Sequence, residues 1–403
     1  VICMRTVFGI DVSKARSDVA ILVNGEKVHD YTIPNDALGF SRLFHDLKQV
    51  VQPEIIFEAT GIYSRRLEAF LKNNNFAYTR LNPLEAKKQL DSLRHRKTDK
   101  MDAENLARTQ FVLNRKATYI QEEVYEQLRD LSRFYQNLTE DIVKSKNRLH
   151  RVLQVTFPGI EMALSSPTGE QYWNFVILFP HPLFILEKSR DKLEEDIHQS
   201  TSKRISQKRV EALANKLIHL AESSYPAVNE NSSIVEQATY YAKELLRLSQ
   251  VRKEVLATMV EKAKILPEYE ILLSIPGIAE TTATSIIGEL GDLRRFRTPN
   301  QINAFIGIDL RHYESGNYLA QEHITKRGNP YARKILFKTV HNIFSVSRFK
   351  PCHIADFYLK RKKQSPNAST KPYTIASMHR LIRTMHYLVV HNKSYDYTLA
   401  QSQ

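Results

Sequence analysis

The chain has 403 residues, enough for two or three domains with cores of their own. Hydrophobic residues make up 42% and charged residues 25%, both ordinary for a globular protein. The charge balance is not ordinary: 58 Lys and Arg stand against 44 Asp and Glu, a net +14. Such an excess suits a polyanion, because each phosphate neutralised releases condensed counterions. Two cysteines, Cys3 and Cys352, exclude a disulfide framework and a cysteine metal site. The start, Val1-Ile-Cys-Met-Arg5, carries no charged-then-apolar signal region, and no stretch approaches the ~18 apolar residues of a membrane span. The expectation is a cytoplasmic protein, nucleoid-associated in a bacterium, with no membrane partner.

The first 110 or so residues alternate strands and helices. Thr6–Val12 is β-branched and apolar; Asp18–Val23 and Lys27–Ile33 flank Asn24-Gly25, a strong hairpin signal. Pro34-Asn-Asp36 caps a helix with apolar residues at Phe40, Leu43, Phe44 and Leu47. A strand at Glu54–Phe57, a helix around Tyr63–Leu71 and a strand at Phe76–Leu81 follow, the last stopped by Asn82-Pro83. The order β-β-β-α-β-α-β-α is that of the RNase H-like fold, although other α/β folds also begin this way. From about 121 to 155 the pattern is wholly helical, with Val124, Leu128, Leu131, Tyr135 and Leu138 at helical spacing. Residues 157–183 break into Pro- and aromatic-rich pieces, and a second helical block runs from about 184 to 265, interrupted near Ser223–Ser233. Long paired helices of this kind serve as a coiled-coil spacer or dimerisation surface, or as plain bundle helices. After Pro267 comes a helix, a Pro-Gly turn and a helix; 296–335 is turn-rich and basic, basic helix continues to about Asn392, and a loose tail ends the chain.

Four acids stand where a two-metal site wants them. Asp11 lies among apolar strand residues, where a carboxylate carries a desolvation cost unless a cation compensates it. Glu58 ends Ile55-Ile-Phe-Glu-Ala-Thr-Gly61, at a strand terminus. Asp99 and Asp102 are spaced i, i+3 on one helix face. With the first strand and the Glu58 strand as neighbours, a helix crossing their ends brings the four together. Hard oxygen donors suit Mg²⁺, with Mn²⁺ as the alternative, and paired ions can clamp the attacking and leaving oxygens of a phosphodiester.

Gly9-Ile-Asp-Val-Ser-Lys14, Glu58-Ala-Thr-Gly61 with Tyr63, and Lys97-Thr-Asp-Lys-Met-Asp-Ala103 resemble the three signatures of the insertion-sequence 110 family transposases. The resemblance implies a RuvC-like DEDD domain with Asp11, Glu58, Asp99 and Asp102 as catalytic and metal-binding tetrad. Phe305-Ile-Gly-Ile-Asp-Leu-Arg-His-Tyr-Glu-Ser-Gly316 is similar to the family's C-terminal transposase domain, in which the serine of a Ser-Gly pair attacks DNA; that serine is Ser315 here. Leu310 departs from the family's proline. A serine hydroxyl is a weak nucleophile at neutral pH and needs a base or a metal. Only His312 is near in sequence, and the resemblance assigns activation to the carboxylate-bound metal. Read by itself, Glu-Ser-Gly-Asn is also good turn chemistry.

Pro276-Gly277-Ile278 resembles the hairpin of helix-hairpin-helix modules, with Ala279 in place of a further glycine, and its amides could meet a phosphate. Lys326, Arg327, Arg333 and Lys334 near the serine, and Arg94, Arg96 and Lys97 near the tetrad, are candidate nucleic-acid contacts; Lys360-Arg-Lys-Lys363 with Lys371 makes a further basic patch. The domains expected are 1–115 (RuvC-like, α/β), 116–266 (helical or coiled-coil spacer), 267–395 (mostly α serine transposase domain with the helix-hairpin-helix-like element) and 396–403 (tail). The family further implies donor and target DNA, a structured guide (bridge) RNA, and a homo-oligomer, dimer or tetramer. Two alternatives remain at this point: a RuvC-type nuclease that uses water, and a non-catalytic nucleic-acid-binding scaffold.

Overall fold

The computed structural model describes residues 4–82, 99–311, 314–315, 318–319, 323–364 and 369–401, with backbone alone at 99–100, 311, 314–315, 318–319 and 401. The chain divides into two compact units, Val1–Ile120 and Gln121–Gln403.

In the first unit, β1 (Thr6–Val12), β2 (Arg16–Val23), β3 (Glu26–Pro34), β4 (Glu54–Glu58) and β5 (Thr79–Leu81) form one sheet in the order β3-β2-β1-β4-β5. The β1–β2 and β2–β3 pairs are antiparallel, and β1–β4 and β4–β5 are parallel. The meander followed by crossovers is therefore as the sequence suggests. Asn24 and Gly25 both take positive φ, as the two-residue hairpin requires. The expected last strand is shorter than Phe76–Leu81. Asn75 adopts a left-handed conformation, the Phe76 amide donates to Leu71 O at the end of α2 (Ser64–Asn73), and Phe76 packs edge-on against Phe44, so pairing begins only at Thr79.

Strand alternation sorts the side chains onto two faces. Phe8, Ile10, Val12, Ile55 and Phe57 pack against α1 (Ala37–Lys48) and α2; Asp36 caps α1 by accepting from the Gly39 amide. Val7, Ala20, Leu22 and Ile56 face the other way, onto Ala103, Leu106 and Ala107 of α3 (Asp99–Leu113).

The second unit is built on two long helices, α4 (Glu123–Thr156) and α9 (Ser233–Ala263). Lys262 donates to Gln127, Arg252 lies over the Tyr135 ring and the Ala227 amide reaches Val155 O, so the pair runs antiparallel. Between them, α5 (Glu170–Leu178), α6 (Leu183–Leu186), α7 (Arg190–Gln199) and α8 (Gln207–Ser223) enclose Trp173, Phe175 and Phe179. Then come α10 (Pro267–Leu273), α11 (Glu280–Leu290), α12 (Pro299–Ile306), α13 (Pro330–Val346), α14 (His353–Gln364), α15 (Thr370–Val390) and α16 (Tyr397–Gln401). One apolar cluster runs from Tyr125 to Val389 through all the longer helices, with no break at 266/267. Gly288 is where α11 crosses α4: a Cβ there would come within 2.7 Å of the Leu128 carbonyl. Asp396 caps α16 and the Tyr397 hydroxyl donates to Asp356 at 3.0 Å, which ties the start of α16 to α14.

Two buried glutamates hold this unit together. Glu289 accepts both prongs of the Arg133 guanidinium (2.9 and 3.0 Å) and the Asn329 side-chain amide at 2.7 Å. Glu268 accepts from the Tyr125 hydroxyl at 2.6 Å and from Arg294 at 3.0 Å. A buried charge is tolerated when its oxygens are all engaged, as these are.

Candidate active site

The β1–β4 register places Ile10 beside Phe57, so Asp11 and Glu58 stand one step further along, side by side on adjacent parallel strands. Both fall on the face of Val7 and Ile56, the face that α3 covers. The direction of α3 follows from its contacts. Arg5, just before β1, binds the carbonyls of Gln110 and Phe111 near the helix C-terminus, and pairs with Glu54 at 2.6 Å. Gly9 lies under Ala103 and Ala107. Continuing along β1 toward Asp11 therefore leads toward the N-terminal end of α3, which carries Asp99 and Asp102. Three elements thus deliver the four acids to one end of the sheet.

Asp11, Glu58 and Asp102 are all partly exposed. The side chain of Asp99 lies outside the described residues, as do Arg94, Arg96 and Lys97. Among the described residues no three His, Cys, Asp or Glu side chains converge closely enough to cage an ion. The donor chemistry still fits a hard divalent cation, because Mg²⁺ keeps several waters and takes only one or two carboxylates in many sites.

Two residues escaped the sequence reading. Gly9 is the first: a Cβ there would collide with the Ala103 carbonyl oxygen and sit 2.8 Å from the Ala107 nitrogen, so glycine is what lets α3 lie against β1. A glycine inside a strand is itself the signal of a close backbone approach. Asp18 is the second. It pairs directly across from Asp11, is 6% exposed, and accepts a hydrogen bond from Thr32 on β3. Its alternation with Ala20 and Leu22 puts it on the α3 face, a placement legible only once the β1–β2 register is known.

In the second unit Ser315 belongs to a nested β excursion. The outer pair joins β6 (Leu310–Arg311) to β9 (His323–Ile324), and the inner pair joins β7 (Glu314–Ser315) to β8 (Tyr318–Leu319), with Ser315 opposite Tyr318. The Ser315 side chain, His312 and Gly316 lie outside the described residues. The base of the excursion is clamped. Lys326 N donates to Gly307 O at 2.9 Å, Asn329 N donates to Phe305 O at 2.8 Å, and Gly307 and Gly328 touch backbone to backbone. Asn329 caps α13 and is itself held by Glu289, so the buried glutamate positions the segment after the serine.

The expected basic contacts divide. Lys326 and Arg327 are exposed beside the clamp. Arg333 turns inward, donating to Ile306 O at 2.7 Å, and Lys334 pairs with Glu140 at 3.2 Å. Gly277 has φ +87°, and a Cβ there would lie 2.6 Å from the Ile343 backbone, so its lack of a side chain serves packing on α13.

With the geometry in view, two family models match the chain: a DEDD transposase of the IS110 type over residues 8–158, and a transposase of the IS116/IS110/IS902 family over residues 269–358. Together they span more than half of the sequence. The chain belongs to the insertion-sequence 110 family of transposases. The first match covers the sheet from Phe8 onward and the acids at its end, in a domain class that is RNase H-like. The second contains the serine excursion and its clamp. Among curated relatives, a transposase for insertion sequence element IS1111A of Coxiella burnetii is 38% identical over 74 residues, 18% of this chain and 20% of that one. A probable family 20 transposase of Pseudomonas aeruginosa is 29% identical over 102 residues, 25% of this chain and 28% of that one. An uncharacterized 43.6 kDa protein of insertion element IS110 from Streptomyces coelicolor is 20% identical over 224 residues, 54% of this chain and 52% of that one. The matched segments thus span between a fifth and about half of these relatives' lengths. No described helix of this family member is long and apolar enough to cross a membrane.

Proposed function

We propose that this protein is a DNA transposase that cuts and rejoins strands through Asp11, Glu58, Asp99, Asp102 and Ser315. The observation that carries the reading is the convergence of Asp11, Glu58 and the N-terminal end of α3 on one end of the sheet, in a chain of this family. When bound there, a divalent cation, Mg²⁺ or Mn²⁺, supplies Lewis-acid stabilisation of the phosphodiester's developing charge. The four carboxylates supply hard oxygen donors for it, and the partial exposure of Asp11, Glu58 and Asp102 leaves room for a phosphate oxygen. Ser315 supplies the nucleophile: its oxygen bonds to phosphorus, one phosphorus–oxygen bond to the sugar breaks, and the serine proton ends on the leaving sugar oxygen. Attack by a sugar hydroxyl of another strand reverses the step and releases the serine, so no high-energy cofactor is consumed. Exposed Lys326 and Arg327 hold nearby phosphates. The net +14 charge supports donor and target DNA, and a structured guide RNA, as partners. The working form is a homo-oligomer.

The test uses the full chain, a DNA substrate carrying the element's ends, co-expressed RNA and Mg²⁺. The wild-type protein forms a covalent protein–DNA adduct that withstands denaturation, and Ser315→Ala abolishes it. Asp11→Ala lowers the rate of strand transfer by about 10²-fold or more, the scale of several kcal/mol of charge stabilisation. Strand cleavage that survives intact in Ser315→Ala would convert the reading to a water-using nuclease. Full activity in Asp11→Ala would end it.

A further inference from the structure

Beside the end of α15 the second unit has a cavity of about 510 Å³, inside the ~300–1,000 Å³ range of small-ligand pockets. Its lining is cationic and aromatic: Arg380, Arg383 and Lys393 with Tyr387, closed on the inner side by His353 and on the outer by Asp396. Among the described residues none of these three cations forms an ion pair with a carboxylate. Arg380 instead stacks on the Phe357 ring at 4.7 Å, and Lys393 sits 5.8 Å from the centre of the Tyr387 ring.

The chain's own charges do not explain the cluster. Asp396, at the rim, spends its Oδ1 on its helix cap, accepting from the Thr398 amide at 2.8 Å and the Thr398 hydroxyl at 2.6 Å, and pairs with none of the three cations. Nearby Asp356 is taken by the Tyr397 hydroxyl. His353 is held between the Tyr395 hydroxyl at 2.7 Å and Thr384, and burial together with Arg380 depresses its pKa to about 4, so it adds no charge at neutral pH. Gathering like charges in a concavity is unfavourable without an anion to answer them. Tyr387, 43% exposed, packs against the His391 ring at 4.3 Å, and its surface lining the cavity offers a place for a planar base to stack.

We propose that this pocket binds one nucleotide of a single strand, its phosphate against Arg380, Arg383 and Lys393 and its base against Tyr387. The assignment rests on the reading above that the partners are nucleic acids, and adds a place where an unpaired nucleotide is held. A stacked duplex cannot present a base to a cavity of this size. Single-stranded DNA and single-stranded RNA share the chemistry, and the assay separates them.

The experiment measures fluorescence anisotropy of the full chain with a labelled oligothymidine and oligouridine of about 12 nucleotides, and a duplex of the same length, across a salt series. Exposed positions are changed so that the fold is kept, with thermal melts to verify it. Arg383→Ala with Lys393→Ala is expected to weaken single-strand binding by about tenfold and to flatten its salt dependence by roughly one to two phosphates. Tyr387→Ala is expected to weaken it by about 5- to 100-fold without changing the salt slope. Duplex affinity is expected to stay within about twofold, a smaller change than loss of one phosphate contact brings. The oligomer with the greater loss names the natural strand. If the wild type binds single strands and both variants match it, the pocket assignment fails and the nucleic-acid reading stands. An equal loss on duplex replaces the pocket with a diffuse electrostatic field. A wild type that binds none of the probes overturns both.

Discussion

In the helical unit, Glu268 and Glu289 are sealed from solvent, with every carboxylate oxygen answered by an arginine, a tyrosine or an asparagine. In the sheet unit, Asp11, Glu58 and Asp102 keep access to solvent at the end of two parallel strands and the start of a helix. The two sets of acids are chemically alike and differ in surroundings. Burial with all donors supplied makes a carboxylate part of the framework, where loss of one partner is costly. Partial exposure at the end of a sheet keeps a carboxylate within reach of a ligand. Position in the fold, more than residue type, separates a framework acid from one proposed to act on a ligand.

The sharpest way to break this contrast is to remove a partner from the sealed set. Arg133→Ala strands Glu289 in a buried site; because Arg133 is itself partly exposed, the expected loss is about 3 kcal/mol, at the lower end for such pairs, read by urea unfolding. A loss under about 1 kcal/mol would show that Glu289 rehydrates easily and belongs with the open acids. In the sheet unit, Gly9→Ala forces α3 away from β1 at an expected ~1–3 kcal/mol, and strand transfer should fall further than the stability alone accounts for. Undiminished transfer would detach α3 from the site. The smallest effects are in pH. His353 is neutral in the fold, so its contribution is present above the ordinary histidine pKa and is lost as pH falls from about 6.5 toward about 4. Glu54 is held below the usual glutamate range mainly by its hydrogen bond from Arg5, so its contribution is complete above pH ~4.3 and is lost only below that. Calorimetric melts between pH 7 and 5 should therefore fall in the wild type and fall less steeply in His353→Gln, with His379, also held low mainly by burial, supplying part of the remainder, while Glu54→Gln leaves that slope unchanged. A slope undiminished in His353→Gln would place the proton elsewhere.

Much of the sheet unit was readable because its signals are local. Asn24-Gly25 sets the hairpin, alternation sets each strand's faces, and an acid inside an apolar strand at Asp11 draws attention without any long-range knowledge. The importance of Gly9 and Asp18 was hidden because each depends on a neighbour brought in from elsewhere: Ala103 from α3, and the cross-strand register with β1. The helical unit was legible as helices and no further. Heptad-like spacing in α4 reads the same whether its partner is α9, as here, or another chain. The sealing of Glu289 joins residues 133, 289 and 329, and no local pattern announces such a triad. Arg333 and Lys334 look in sequence like free cations, yet both have partners within the unit.

The clamp at Gly307 and Gly328 has a consequence for how such proteins diversify. A chain that leaves and re-enters the helical framework through a single neck can gain or lose residues between 308 and 325 while α12 and α13 keep their seats. Related proteins could thus carry serine tongues of different length on the same scaffold, retuning reach without redesigning the body that bears them.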